Sequence, residues 1–345
     1  MGSRGHIVAG ILLCLLSIMA PGRSPALAED EVFARLASLV EDSRTCEADP
    51  SEEFWTVKIA VSPVDGYRLR YSRFGCAPGS AGVVLLAPGR SEPSYEYHET
   101  AIDLITRGYE PVYVIDHRGQ GLSPRLLDDP SKGHIADFST YIDDLDLVVE
   151  DIRAEIIEIS GEETPLYFIS NSMGGAIGIG HLQRSGEASP FQAAALLGAM
   201  LHINYLSYTD HPPSWLNLRI YSEQGVLFQS GWRCGLGEIF KENWCQSYAS
   251  PDTFGPYRKG TRTFRQGREQ MMTQSEERFG LRTHFWDNVD WSEMATRDYT
   301  DGEIWTGPQL GGATNGWVGA AARFNGQIRK QRNLEAMTHV PILLM

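Results

Sequence analysis

The stretch "FISNSMGGAIG", residues 168 to 178, places a serine where an apolar run stops and two glycines begin. A serine hydroxyl at neutral pH is a weak nucleophile and becomes effective only beside a base. Ser170 and Gly174 flank Ser172 at a distance of two residues. Small residues there suit a sharp turn from strand to helix that holds the hydroxyl out while two backbones run close together. The first small position, usually glycine in such turns, is Ser170 here. A serine attacking a carbonyl also needs N–H groups for the oxyanion, and losing one such donor costs roughly 3–4 kcal/mol. The N–H of Met173, directly after the serine, is one candidate donor. The second is the N–H of Arg90 in the loop Pro88-Gly89-Arg90-Ser91, which follows another apolar run.

A base must come within about 2.6–3.2 Å of the serine oxygen. His181 lies nine residues along the following helix, or about 13 Å by the helical rise, and reads as a helix-surface residue. His98 falls on the helix after the oxyanion loop, and His134, His211 and His284 fall in loops or in a cap. His339 precedes the last strand, at its far end from the chemistry. His202 follows the strand after the serine turn and is the best-placed substitute, as a base or as a substrate-side group. None of these is a convincing activator of Ser172.

The elements that must position these groups are legible from hydrophobic pattern. "FWTVKIAVSP" and "GYRLRYSRF" alternate around Pro63-Val64-Asp65-Gly66, the pattern of a hairpin. "GVVLLAP", "EPVYVID", "PLYFIS" and "FQAAALLGAM" are short apolar runs, as in strands buried on both faces of a sheet. Helical spacing fills the gaps, with Ser139 expected to cap the helix after residue 138 and Gly186 to end the helix after Ser172. Alternation of this kind predicts an α/β fold: a mostly parallel sheet with helices on both faces. Residues 203–335 break the alternation and read as an inserted, mainly helical cap, and "THVPILLM" in residues 336–345 restarts a core strand. The core's first part spans 55–202, after a leader over 29–54.

Residues 1–28 carry Arg4, an apolar stretch from Ile7 to Ala20 and the small-residue ending Ala26-Leu27-Ala28. This is the pattern of a secretory signal peptide cleaved after Ala28, which predicts a periplasmic or secreted protein. Removing it takes away two arginines and no acid, leaving 28 basic against 44 acidic residues. Such a balance argues against nucleic acid as a partner and against simple electrostatic docking on anionic lipid. Cys46, Cys76, Cys234 and Cys245 remain, an even number that favours disulfides in an oxidising compartment. Of three possible pairings, Cys46–Cys76 and Cys234–Cys245 join residues close in the chain. The cysteines and histidines show no clustered metal-ligand spacing, and no metal or organic cofactor is implied.

"LLAPGRSEPSYEYHETAIDLITRGYEPVYVIDHRGQGLSPR", with "SNSMGGAI" and "GGATNGWV", resembles the bacterial lysophospholipase and monoacylglycerol lipase family of α/β hydrolases. The resemblance runs from about residue 55 to the end and is weakest in the cap. "DHRGQGLS" and the serine turn are its most specific parts. It implies an α/β-hydrolase fold with Ser172 as nucleophile, Arg90 and Met173 as oxyanion donors, and a cap over an acyl-chain site. Asp116 to Gly121 would then be a structural turn and not part of a triad. Trp215, Trp232, Trp305 and Trp317 are candidates to line the acyl pocket, with Trp317 and His202 on the substrate side. Where the family has histidine before the loop glycine, this chain has Pro88. In the family the triad acid and histidine follow the strand after the cap and the next one, so both are expected beyond residue 345. The expected substrate is a small lipid ester, with transient contact to a membrane surface and no obligate protein partner. A different class of function, a non-catalytic hydrolase-like protein that binds lipid or a partner, would leave a sheet with an exposed edge.

Overall fold

In a computed structural model, the residues described are 54–76, 78–203, 234, 245–249 and 291–345. The expected signal peptide over 1–28, the expected leader up to residue 53 with Cys46, and His211, His284, Trp215 and Trp232 lie outside them.

The described strands form one seven-stranded sheet. β1 (Trp55–Val61) and β2 (Arg68–Phe74) make the expected antiparallel hairpin, and β2 pairs antiparallel with β4 (Tyr109–Asp116). The remainder is parallel: β3 (Gly82–Ala87) lies between β4 and β5 (Leu166–Asn171), followed by β6 (Phe191–Leu197) and β7 (Ile342–Leu344). The order across the sheet is β1-β2-β4-β3-β5-β6-β7.

Alternate residues of these strands face opposite layers, as the period of two requires. Val83, Leu85, Leu166 and Phe168 point into the larger core with α2 (Ser139–Ser160), α3 (Ser172–Ser185) and α5 (Asn315–Ile328). Val84, Leu86, Tyr167 and Ile169 point into the other layer, covered by Ala101 and Leu104 of α1 (His98–Ile105). Strands buried on both faces have no room for polar side chains, which is why they are continuous apolar runs in the sequence.

Three local expectations change. Ser139 does not cap α2; the Asp137 carboxylate instead accepts the Ser139 N–H at 2.9 Å. His181 is not on the surface: it is 4% exposed, and its Nδ1 lies 2.5 Å from Asp146 of α2. Residues 315–328, read from sequence as cap, form a helix inside the larger core. There Trp317 is 1% exposed and meets Phe138 edge-on with ring centres 5.2 Å apart. The segment before this helix is tied down by buried arginines. Arg125 donates to the carbonyls of Gly121, Ser123, Pro130 and Gly307. Arg70 donates to Glu303 and lies 3.8 Å from the centre of the Tyr299 ring. α4 (Ser292–Asp298) precedes this anchored stretch.

Candidate active site

β5 ends with Asn171 in extended conformation, and α3 begins at the next residue. The whole reversal is concentrated in Ser172, whose φ is +49°. A residue with a Cβ pays about 1–2 kcal/mol for the left-handed region, so the surroundings must hold it there. The Gly174 N–H donates to Pro88 O at 3.0 Å, and the Met200 N–H donates to Ser172 O at 2.8 Å. At Gly174 a Cβ would stand 2.0 Å from Ala87 O and 2.5 Å from Pro88 O. At Gly175 it would stand 2.8 Å from the Cα of Ala199. Both glycines are therefore required by the close approach of α3 to the ends of β3 and β6.

The Pro88–Ser91 loop sits directly beside this turn. Its Gly89 N–H donates to Glu92 Oε2 at 2.7 Å, and Glu92 also accepts from the Tyr97 hydroxyl and the Asn171 amide. The Ser91 N–H donates to Gln120 Oε1 at 2.9 Å. Arg90 directs its side chain away, donating to Gly311 O at 2.7 Å and lying 5.4 Å from the centre of the Trp317 ring. Met173 follows Ser172 at the start of α3, where a helix leaves its first N–H groups without intrahelical acceptors. A serine hydroxyl, a helix start and the Arg90 backbone are thus assembled at the carboxyl ends of parallel strands.

The family described as "Hydrolase_4: Serine aminopeptidase, S33" matches residues 78–230, a range that contains the loop, the turn after β4 and Ser172. Over these residues the chain is similar to that family, and its mostly parallel sheet with the serine turn is an α/β-hydrolase fold. It is 35% identical over 193 residues to a protein named lysophospholipase L2 from Escherichia coli strain K12, covering 54% of this chain and 52% of that protein. It is 31% identical over 121 residues to a probable lysophospholipase L2 from Haemophilus influenzae, covering 33% and 36% of the two chains. The chain spans about half the length of the curated relatives it matches. Among solved structures it is similar to a carboxyl esterase from Bacillus coagulans, with 13% identity, coverage of 84% of this chain and 79% of that one, and a TM-score of 0.49.

Most of the described histidines are engaged by groups other than Ser172. His117 Nε2 lies 3.0 Å from Pro88 O; a carbonyl can only accept, so Nε2 carries the proton. His134 Nδ1 meets Thr314 Oγ1 at 2.8 Å, and His339 faces Glu187 at 3.7 Å. His98 packs edge-on against Phe74. His202 is exposed on the loop that follows β6, two residues beyond the Met200 N–H that binds Ser172 O. Among the described residues, no hydrogen bond to Ser172 Oγ is formed.

Two of the tryptophans expected to line an acyl pocket, Trp305 and Trp317, are described, and both are buried. Trp317 is 1% exposed and packs in the larger core. Trp305 is 6% exposed, stacks on Tyr299 at 4.5 Å and donates its indole N–H to Gly121 O. Cys234 and Cys245 are joined in a disulfide, and Cys76 is also disulfide-bonded. Gln120, Glu92 and Asn171 were missed by sequence reasoning, because their roles depend on contacts between separate elements.

Asp116 and His117 are both buried, and their burial acts on stability with opposite sign as pH falls. Burial pushes Asp116 up to about 6, partly offset by the Ser94 hydroxyl and N–H that it accepts. Burial pulls His117 down to about 4, partly offset by its bond to Pro88. Between pH 6.5 and 4 the unfolded chain protonates residue 117 while the native state does not, so stability falls with pH by about 3 kcal/mol. Between about pH 6 and 3.8 the native state protonates Asp116 first, so stability rises as pH falls, also by about 3 kcal/mol. The two nearly cancel in the wild type. Relative to it, His117→Gln should gain stability steadily from pH 7 to 4, and Asp116→Asn should lose it from pH 6 to 4. Urea midpoints across this range measure both. Offsets that do not change with pH would show that neither residue titrates as its burial requires.

Proposed function

We propose that this α/β hydrolase is an exported serine esterase that cleaves the acyl ester of lysophospholipids or monoacylglycerols. The observation that carries the proposal is the left-handed backbone of Ser172, at φ +49°, between a buried strand and a helix. Strain of this size persists where the fold over-determines it, and here it presents one hydroxyl at the sheet edge. The names of the relatives, lysophospholipase L2, support the substrate class.

In the proposed reaction Ser172 Oγ attacks the ester carbonyl carbon and gives its proton to a histidine base. The oxyanion is held by the N–H groups of Arg90 and Met173. Collapse of the tetrahedral species expels the glycerol or glycerophospho alcohol, which takes the proton from the base. Water then hydrolyses the acyl-serine by the same route in reverse. Export with cleavage after Ala28 is part of the proposal, supported by the composition of the first 28 residues and by the disulfide between Cys234 and Cys245.

The test is to assay the full-length protein for fatty-acid release from lysophosphatidylcholine and monoacylglycerol, with an aminoacyl arylamide as the competing substrate. Quenched reactions analysed by mass spectrometry should show an acyl adduct on the peptide containing Ser172. Cleavage of the arylamide with both esters untouched would replace the esterase reading by a peptidase one.

A further inference from the structure

The turn 116–123 supplies a side chain that reaches both halves of the proposed oxyanion site. Gln120 is 4% exposed and held by its own backbone: its N–H donates to His117 O at 2.8 Å, and its carbonyl accepts from Ser123 N at 2.9 Å. Its side-chain oxygen accepts the Ser91 N–H at 2.9 Å. Its side-chain nitrogen approaches Met173 Sδ at 3.5 Å and the Tyr141 hydroxyl at 3.4 Å. An N–H can only donate, so the Ser91 contact fixes which end of the amide faces the loop.

Among the described residues Ser91 is one of two non-glycine residues with a left-handed backbone, at φ +65°. The other is Ser172. A serine there costs about 1–2 kcal/mol and stays only if something holds it. The Gln120 carbonyl binds the amide of that residue, one position after Arg90. On the other side, Glu92 binds the Gly89 amide. The amides on both sides of Arg90 are therefore clamped by side chains, which sets the direction of the peptide between them.

We propose that Gln120 is a positioning residue that holds Ser91 in its left-handed conformation and so aims the Arg90 N–H at the oxyanion, while its other end braces Met173. This rests on the reading of Ser172 as nucleophile. Gln120 does not touch the substrate; it acts through the loop.

The experiment uses the full-length protein and four variants: Gln120→Met, Gln120→Glu, Ser91→Gly and the double variant Gln120→Met/Ser91→Gly. Methionine keeps the length of the side chain and removes both ends of the clamp. Two quantities are read: kcat and KM for p-nitrophenyl butyrate, and hydrogen exchange of the peptide spanning residues 88–92. Gln120→Met should lower kcat about 10- to 100-fold, because small misplacement of catalytic groups costs that much. KM should change by less than about threefold, since uniform binding is not lost. Exchange over 88–92 should accelerate in Gln120→Met and stay slow in Gln120→Glu, which retains the acceptor for Ser91. Glycine adopts a left-handed backbone without strain, so Ser91→Gly should recover at least about tenfold of the kcat lost in the methionine background. A merely structural glutamine would show no such recovery. Equal losses in the serine and glycine backgrounds, or unchanged exchange in Gln120→Met, would overturn the inference. Wild-type protein without Ser172-dependent turnover would instead sink the esterase proposal, and the exchange result alone would then decide for or against Gln120.

Discussion

Ser172→Ala in the full-length protein is expected to lower acyl-ester hydrolysis by about 10⁴- to 10⁶-fold, the range seen when a serine nucleophile that works with a base is removed. The fold should be indifferent to the change. Ser172 Oγ has no hydrogen-bond partner among the described residues, and alanine suffers the same left-handed strain as serine at φ +49°. Ser172→Gly separates the two roles of this position more sharply. Glycine reaches φ +49° freely, so Ser172→Gly should be more stable than Ser172→Ala by about 1 kcal/mol while being just as inactive. Its Tm should rise by roughly 2–4 °C relative to the alanine variant, given the size of the chain. A stability gain with loss of activity is the signature of strain kept for function. Hydrolysis at the wild-type rate by either variant would remove Ser172 from the mechanism. Equal stability of the two would remove the strain.

The sheet and the serine turn were readable in the sequence for one physical reason. Strands buried on two faces must be apolar throughout, and a one-residue reversal from strand to helix must be flanked by small residues. "PLYFIS" followed by Asn171, Ser172 and Gly174 satisfies both conditions within ten residues. What could not be read depends on contacts between segments far apart in the chain. His181 has a helix-surface setting locally, and only the approach of α2, 35 residues earlier, buries it beside Asp146. Gln120 sits in a glycine-rich turn whose local pattern explains its backbone and says nothing of Ser91 or Met173. Residues 315–328 read as cap because they fall in a stretch, 203–335, that is rich in Trp, Tyr, Arg and Gly and has no clear strand. The signal of the core helix was nevertheless present: Trp317, Ala321, Phe324 and Ile328 recur at spacings of four, three and four, and all four are buried.

Gly174→Ala should destabilise the protein by at least about 3 kcal/mol, although local rules predict the opposite sign. Gly174 lies in the first turn of a 14-residue helix and its φ is not in the left-handed range. On helix propensity alone, alanine there would gain nearly about 1 kcal/mol. The difference is steric. The new methyl would stand 2.0 Å from Ala87 O and 2.5 Å from Pro88 O, both backbone atoms that cannot rotate away. Ala87 is the last residue of β3 and is in register with Ser170 on β5, so the sheet holds it in place. Relief requires α3 to lift by more than about 1 Å from the strand ends, against a core that is close-packed. That movement breaks the bond from the Gly174 N–H to Pro88 O and shifts Met173 and the Arg90 loop together. Acylation of Ser172 should therefore fall along with the midpoint of unfolding. Gly161→Ala supplies the control. Gly161 has φ +77° at the end of α2, with nothing within 4 Å of an added Cβ, so only conformational strain of about 1 kcal/mol applies. If Gly174→Ala is no worse than this control, the helix does not approach the strand ends as closely as the clash requires, and the geometry that aims Met173 loses its support.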